Sequence, residues 1–422
     1  MNTETEGIDI EKLYSKLRSA VALESDSNCA LIRARTIYEP AGGKGSKVNP
    51  PTYPAGTGKR GEWTYIIEKR IVDGQECPDV LLDSVASQAN RAELALLKGV
   101  REGKVTLPLI EIRYTSPDGN DPIPTLTMTS LELSHRYADA YLRDSKPDSS
   151  DENQSDKKTF DETELGKMFR KASSDDATAL YQHDPGSLVF GAWNSHRPGY
   201  QVKFPRIYAS EIIGWNPEVG KRKAGRMDPL NLVGEVNHLD NGDWEFATPS
   251  EKTKGTKKTE GKKLSEIGHG NIMPNDVPGG VTVTSVERLA TISFAALNRL
   301  SFGIRSPEET VAARTVLAAY ALLADRLAFS GPSLWLRSGC ELVVTEDNLE
   351  WVQRGGGAEK LVLNTERAID LYEYAVEQAG EFTPLCELQS FVFKDEITKA
   401  IQFALTKTES SEANDAGNTT DA

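Results

Sequence analysis

Apolar and polar positions alternate with a period of two along "CALIRARTIYEP" (29–40). This predicts a strand carrying Arg33 and Arg35 on the face opposite Ile32, Ala34 and Tyr38. "EWTYIIEKRIV", "KVTLPLIEIRYT" and "PTLTMTS" read as further strands, and "SLVFGAWNSHRPGYQVKFPRIYASEIIGWN" as strand, turn and strand with the turn at 193–198. A period of 3.6 marks an opening helix around Ile8–Val21, and a second in "LLDSVASQANRAEL", where Leu81, Val85, Ala89, Ala92 and Leu96 form one stripe. Ser130 is a plausible cap for a helix over 131–143, and Thr284 with Glu287 matches a capping box opening a helix through "VERLATISFAALNRL". "ETVAARTVLAAYALLADRLAF" is the most apolar helical segment and is expected at the centre of the core. "LNLVGEV", "DWEFAT", "LWLRSGCELVVT" and "KLVLN" look extended, the helix "TERAIDLYEYAVEQAG" follows, and a short helix near 394–405 closes the pattern. Strands and helices intermix without a regular βαβ rhythm, which points to an α+β fold carrying long insertions.

The helix at 81–94 makes an odd choice of polar residues. Ser84, Ser87, Gln88, Asn90 and Arg91 stand where Glu and Lys would favour the helix more. Two readings are open: a polar face without consequence, or an exposed row of short hydrogen-bonding groups and one Arg that grips a ligand rich in acceptors, such as a phosphodiester backbone.

Charge complicates the second reading. The 422 residues carry a net charge of −14, which argues against indiscriminate nucleic-acid binding. The acid is concentrated in "DSKPDSSDENQSDKKTFDETE" (144–164) and in the tail 408–422, both expected to be disordered. Basic residues gather elsewhere: Lys44 and Lys47 in a Gly- and Pro-rich loop, Lys203 and Arg206, then Lys221, Arg222, Lys223 and Arg226, and the run "KTKGTKKTEGKK". A local basic groove on an acidic molecule remains compatible with this distribution. The chain's 38% hydrophobic content supports a substantial core, read as one elaborated domain over 22–410 with a basic insertion at 216–280. No apolar run approaches a membrane span, so a cytoplasmic protein is expected, with four scattered cysteines reduced and buried.

Catalytic and cofactor motifs fail one by one. "GTGKRG" does not complete a phosphate loop: Tyr53 stands where the first glycine should be and Arg60 where Ser or Thr should be. The five histidines lack paired ligand spacing, so neither a metal nor a cofactor is expected. His196 sits among Asn194, Ser195 and Arg197 at the 193–198 turn, where RNA contact, a purely structural turn and general acid–base cleavage of RNA all remain open.

Taken in order, "LLDSVASQANRAE", "SLVFGAWNSHRP", "KLSEIGHGNIMP" with "GGVTV" and "ERLATISFAALNRLSF", and "LWLRSGCELV" resemble the signature segments of the backbone subunit of type I-U, or I-G, CRISPR Cascade. That family is a RAMP-superfamily protein of the Cas-seven group, and the resemblance runs from about Val48 to Val344. It implies a modified RRM or ferredoxin-like (RAMP) palm with finger- and thumb-like insertions, the basic region 216–280 being a possible thumb. It also implies a non-catalytic subunit that stacks with copies of itself and other Cascade subunits along CRISPR RNA, presenting the guide to a target DNA strand. Arg33, Arg35, Lys44, Lys47, Ser84, Ser87, Gln88, Asn90, Arg91, Asn194, Ser195, His196, Arg197, Lys203 and Arg206 are the RNA contacts this predicts. "GGGAEKL" matches the family's glycine-rich loop only in part. Two other readings compete: a metal-independent endoribonuclease using His196, and an interaction module that touches no nucleic acid.

Overall fold

The computed structural model describes residues 9–22, 27–54, 63–116, 125–148, 158–195, 202–238, 244–247 and 262–411. Its elements are α1 (Ile10–Ala22), β1 (Cys29–Pro40), β2 (Ile67–Val72), β3 (Gln75–Asp83), α2 (Val85–Arg101), β4 (Ala192–Asn194), β5 (Val202–Phe204), β6 (Tyr208–Trp215), β7 (Glu218–Arg226), β8 (Ile272–Thr282), β9 (Ser285–Ser293), α3 (Pro307–Phe329), β10 (Ser333–Arg337), β11 (Cys340–Gln353), β12 (Ala358–Lys360) and α4 (Thr365–Gln378). Short pieces are given below by range.

A mixed α/β architecture results, built on an antiparallel central sheet of order β10-β11-β1-β9-β6-β3-β2, with β12 paired to β11. β1 alternates as its sequence predicts: Ile32, Ala34, Thr36 and Tyr38 are buried, and Arg33 and Arg35 face outward. Helices α1, α2 and α4 pack around α3. Ser306 and Glu309 close a capping box at the start of α3 and Pro307 sits in its first turn. From Ala313 to Phe329 α3 is buried on nearly every side, as an all-round apolar helix must be. α1 contributes Leu13, Leu17 and Val21 to this core, so the expected domain start at 22 is too late.

A second sheet lies beside the first, in the order Thr125–Thr129, Leu109–Thr115, Leu388–Phe393, Ser145–Pro147. Its last strand, together with the buried Phe160 and the helix Glu164–Lys171, means that both ends of the acidic stretch 144–164 are ordered, contrary to expectation. Residues 149–157 lie outside the described residues. The closing helix likewise runs on to Ser411, into the tail expected to be disordered from 408.

Two predicted helices survive only as four-residue pieces, Ala140–Arg143 and Phe294–Leu297. Residues 131–143 make turns, a 3₁₀ turn at Arg136–Ala138 and a helix of four residues, Ala140–Arg143. Residues 285–293 are strand β9, because both neighbours, β1 and β6, use its backbone and because Val286, Arg288, Ala290 and Ile292 alternate inward. The apparent capping residue Glu287 instead takes Arg35 and the Trp215 indole, whose Nε1 donates at 2.7 Å. The first part of "SLVFGAW" is also helical, Pro185–Val189. Of the four cysteines, all free, Cys29 and Cys340 are buried while Cys77 is half-buried and Cys386 exposed.

Between β6 and β9 the chain leaves the central sheet as a two-stranded arm. β7 pairs with β8 from Glu218↔Thr282 at the root to Arg226↔Ile272 at the far end, where the short strands Glu235–His238, Trp244–Ala247 and Lys262–Lys263 add a small sheet. Glycines make the root possible. A Cβ on Gly279 would stand 2.6 Å from the Lys221 backbone, and Gly280, at φ +80°, meets Asn49.

Candidate nucleic-acid interface

The polar row on α2 has a local cause. β3 ends in the buried pair Leu82 and Asp83, and Ser84 caps the helix by accepting from the Ser87 N–H at 3.3 Å. The Asp83 carboxylate then accepts from Ser87 Oγ at 2.8 Å, Gln88 Nε2, Arg91 Nε at 2.8 Å and Arg337 Nη2 at 3.4 Å. Arg91 also donates to the Trp335 and Leu336 carbonyls, tying α2 to β10. Ser87, Gln88 and Arg91 are therefore chosen to satisfy one buried carboxylate, which otherwise carries a steep desolvation cost. The expectation that this face is exposed fails for Gln88, which is fully buried, and in part for Ser84, Ser87 and Arg91, which are half-buried; Asn90 alone of the set is exposed. Leu81 belongs to β3, not to the helix.

From Gln88 the network continues beneath the sheet. Ser210 Oγ donates to Gln88 Oε1 at 2.9 Å and accepts from Arg288 Nε at 3.1 Å; Arg288 reaches Tyr208 and Asp325; Arg326 bridges Asp325 to Asp347. Burial works against the Asp325 carboxylate, but Arg288 and Arg326 more than offset it and hold its pKa down at about 2.

Around Asp83 the fold gathers several segments. Val48 and Val281 exchange backbone hydrogen bonds, Asn49 N–H donates to the Gly339 carbonyl, and Arg337 donates to the Asn49 carbonyl at 3.3 Å. These bonds lay the loop 41–52 against the arm root, where the Lys47 side chain runs along Gly220. Lys44 and Lys47 are exposed here, and so are Lys221, Arg222 and Lys223 along β7.

The other predicted residues lie apart from this corner. Arg33 and Arg35 stand on the outer face of the sheet in ion pairs, Arg33 with Glu350 at 2.8 Å and Arg35 with Glu287, so their charges are locally answered rather than offered. Asn194, Ser195, Lys203 and Arg206 belong to the ribbon β4–β5 and its flanks, with Ser195, Lys203 and Arg206 exposed and Asn194 half-buried. His196 and Arg197 fall outside the described residues, as does most of the Lys-rich run 252–263. Among the described residues no ion pair involves Lys44, Lys47, Lys203 or Arg206, and no hydrogen bond joins the ribbon to the Asp83 corner. No group of three or more His, Cys, Asp or Glu able to hold a metal occurs among them.

Sequence reasoning missed Asp83, Arg337 and the pair Glu93–Arg136. An Asp directly before a Ser-capped helix was a usable signal for the first. Arg136 donates to both Glu93 oxygens, at 2.6 and 2.9 Å, and both side chains are buried. Burial pushes the Glu93 carboxyl up to about 7 against the pull of Arg136. Nothing in the local pattern at residues 93 and 136 announces a pair 43 residues apart.

Comparison with known proteins adds one family. Residues 32–219 match the model described as CRISPR-associated protein GSU0053 (Cas_GSU0053), a span just under half the chain that holds every predicted RNA contact from Arg33 to Arg206. No curated protein matches the chain. Among solved structures, the crystal structure of Thermofilum pendens Csc2 is similar at 14% identity over 92% of this chain and 80% of that one, with a TM-score of 0.24, too loose to carry a conclusion. Among the described residues no helix is long and apolar enough to cross a membrane.

Proposed function

We propose that the chain is a Cas-seven-type backbone subunit of a CRISPR effector complex, of subtype I-G: a non-catalytic protein that binds CRISPR RNA and leaves its bases free to pair with target DNA. The observation that carries this reading is the family match over residues 32–219. That span contains the basic loop 41–52, α2 and the ribbon β4–β5, and it reaches the arm root. The central antiparallel sheet is then the RAMP palm, and the β7–β8 arm, with its exposed Lys221, Arg222 and Lys223, is the thumb. RNA is held through its phosphates by Lys44, Lys47, Asn90, Lys203 and Arg206, while Gln88 and Arg91 brace α2 from behind and Arg33 and Arg35 stay in their ion pairs.

The test is purification in high salt followed by the ratio of nucleic-acid to protein absorbance and nuclease footprinting of a guide RNA. Copurified RNA protected along its spacer is expected. A protein-like ratio with no shift of guide RNA would sink the reading in favour of a protein-interaction module. The same preparation is expected not to cut a repeat-containing transcript without divalent metal. Cleavage abolished by His196→Ala would replace the reading with an endoribonuclease.

A further inference from the structure

Trp193 is 56% exposed, although a folded chain ordinarily turns the body of an indole inward. The register of the ribbon explains its position. Trp193 on β4 stands opposite Lys203 on β5, and the neighbouring pair Ala192↔Phe204 is buried, as is Val202. The apolar face of the ribbon is therefore spent on the core, leaving Trp193 and Lys203 together on the outside. Directly opposed residues on paired strands have Cβ atoms about 5 Å apart, so an indole face and an ammonium share one small surface. Arg206, just beyond β5, is exposed as well.

The ribbon is held rigidly at its root. Gly191 has φ +82°, and a Cβ there would meet the Arg206 side chain at 2.9 Å. Its carbonyl accepts from Arg136 Nη1 at 2.8 Å, the same Arg136 that Glu93 grips with both oxygens. Arg136 itself has φ 53°, an uncommon backbone for a residue other than glycine, and its guanidinium lies 5.6 Å from the centre of the Phe190 ring. Tyr137 packs edge-on against Phe204, and the Ile207 N–H donates to the Val189 carbonyl at 2.9 Å. The platform is thus set before any ligand arrives, which lowers the ordering cost of binding.

The surroundings select the ligand. A docking site for another protein would place Trp193 in a contiguous apolar patch. On the described part of the ribbon and its flanks, 191–195 and 202–206, Trp193 is the one large apolar side chain that is exposed. Its described neighbours along the ribbon are Asn194, Ser195, Lys203 and Arg206, and an aromatic face beside cations is how single-stranded nucleic acids are held without sequence preference.

We propose that Trp193 and Lys203 form a stacking platform for one unpaired base of the bound RNA, the base lying on the indole and an adjacent phosphate meeting the Lys203 ammonium. This rests on the RNA-binding reading above and adds a contact it does not contain. The experiment measures binding of a fluorescently labelled single-stranded RNA across a salt series for the wild type, Trp193→Ala, Trp193→Phe and Lys203→Ala, with thermal unfolding as the check on folding. Trp193→Ala is expected to weaken binding about tenfold and Trp193→Phe much less, because a phenyl ring still stacks. Lys203→Ala is expected to lower the slope of log affinity against log salt by about 0.7, the value of one phosphate contact on a single strand. RNA is also expected to quench an indole emission component that is missing in Trp193→Phe. Failure of the wild type to bind RNA would remove the RNA-binding reading and this platform together. Wild-type binding matched by Trp193→Ala, or equal losses in the Ala and Phe variants, would overturn the platform alone.

Discussion

The corner around Asp83 and the ribbon around Trp193 are built from similar residues, Ser, Asn and basic side chains with a Trp close by, and they use them in opposite ways. At the corner, Ser87, Gln88, Arg91 and Arg337 all turn toward one buried carboxylate. On the ribbon, Lys203 and Arg206 are exposed, and Glu93, the buried acid behind the ribbon's root, is taken by Arg136. Residue type alone therefore says little about whether a polar side chain is structural or available. What decides is whether an unsatisfied charge lies within reach on the inner side of the sheet, since a buried charge left unpaired costs far more than an exposed one gains from pairing.

Mutations can break this contrast at its strongest point first. Asp325→Ala leaves the Arg288 guanidinium buried without its carboxylate, and a loss of about 3–5 kcal/mol in denaturant unfolding is expected. A change under about 1 kcal/mol would mean the network beneath the sheet is not structural.

The next effect is a pH dependence. Glu93 keeps its proton in the folded state up to about 7, against an ordinary value of 4.5. Between those values the native state binds the extra proton, so stability is fully present below 4.5 and falls as pH rises through 7. The expected loss is about 3 kcal/mol, the shift being converted at 1.36 kcal/mol per unit. Unfolding measured from pH 4.5 to 8 should show this slope in the wild type and a flat profile in Glu93→Gln.

Neighbouring residues on α2 sharpen the comparison further. Arg91→Ala is expected to cost about 1–3 kcal/mol of stability, because Asp83 loses a charged donor and two carbonyls lose theirs. Asn90→Ala, one position away and exposed, is expected to stay within about 0.5 kcal/mol while weakening RNA binding measurably. Equal effects of the two on stability would erase the distinction.

Smallest in stability is the combined variant Lys44→Ala, Lys47→Ala, Lys203→Ala and Arg206→Ala, which should unfold like the wild type. Its RNA affinity should lose about 3 from the log salt slope, four single-strand phosphate contacts at 0.7 each. An unchanged slope would show that the exposed cations are not the RNA contacts.

Strand β1, the long apolar α3 and helix α4 were legible because each buries a regular face, so the period of the sequence matches the period of the element. Strand β9 was not, since its buried Arg288 and the ion-paired Glu287 imitate the polar side of a helix until the partners on β6, β1 and α3 are known. The candidate contacts divide the same way. The exposure of Lys44, Lys47, Lys203 and Arg206 follows from their place in loops and on the outer face of a short ribbon, a local matter. The inward turn of Gln88 and Arg91 depends on Asp83, Ser210 and Arg337, and the pairing of Arg33 and Arg35 depends on Glu350 and Glu287. Periodicity, capping and local charge act over a few residues and are written in the chain itself. Ion pairs across 43 or 254 residues, and the hydrogen bond across 122, exist only after the sheet has brought their strands and helices together.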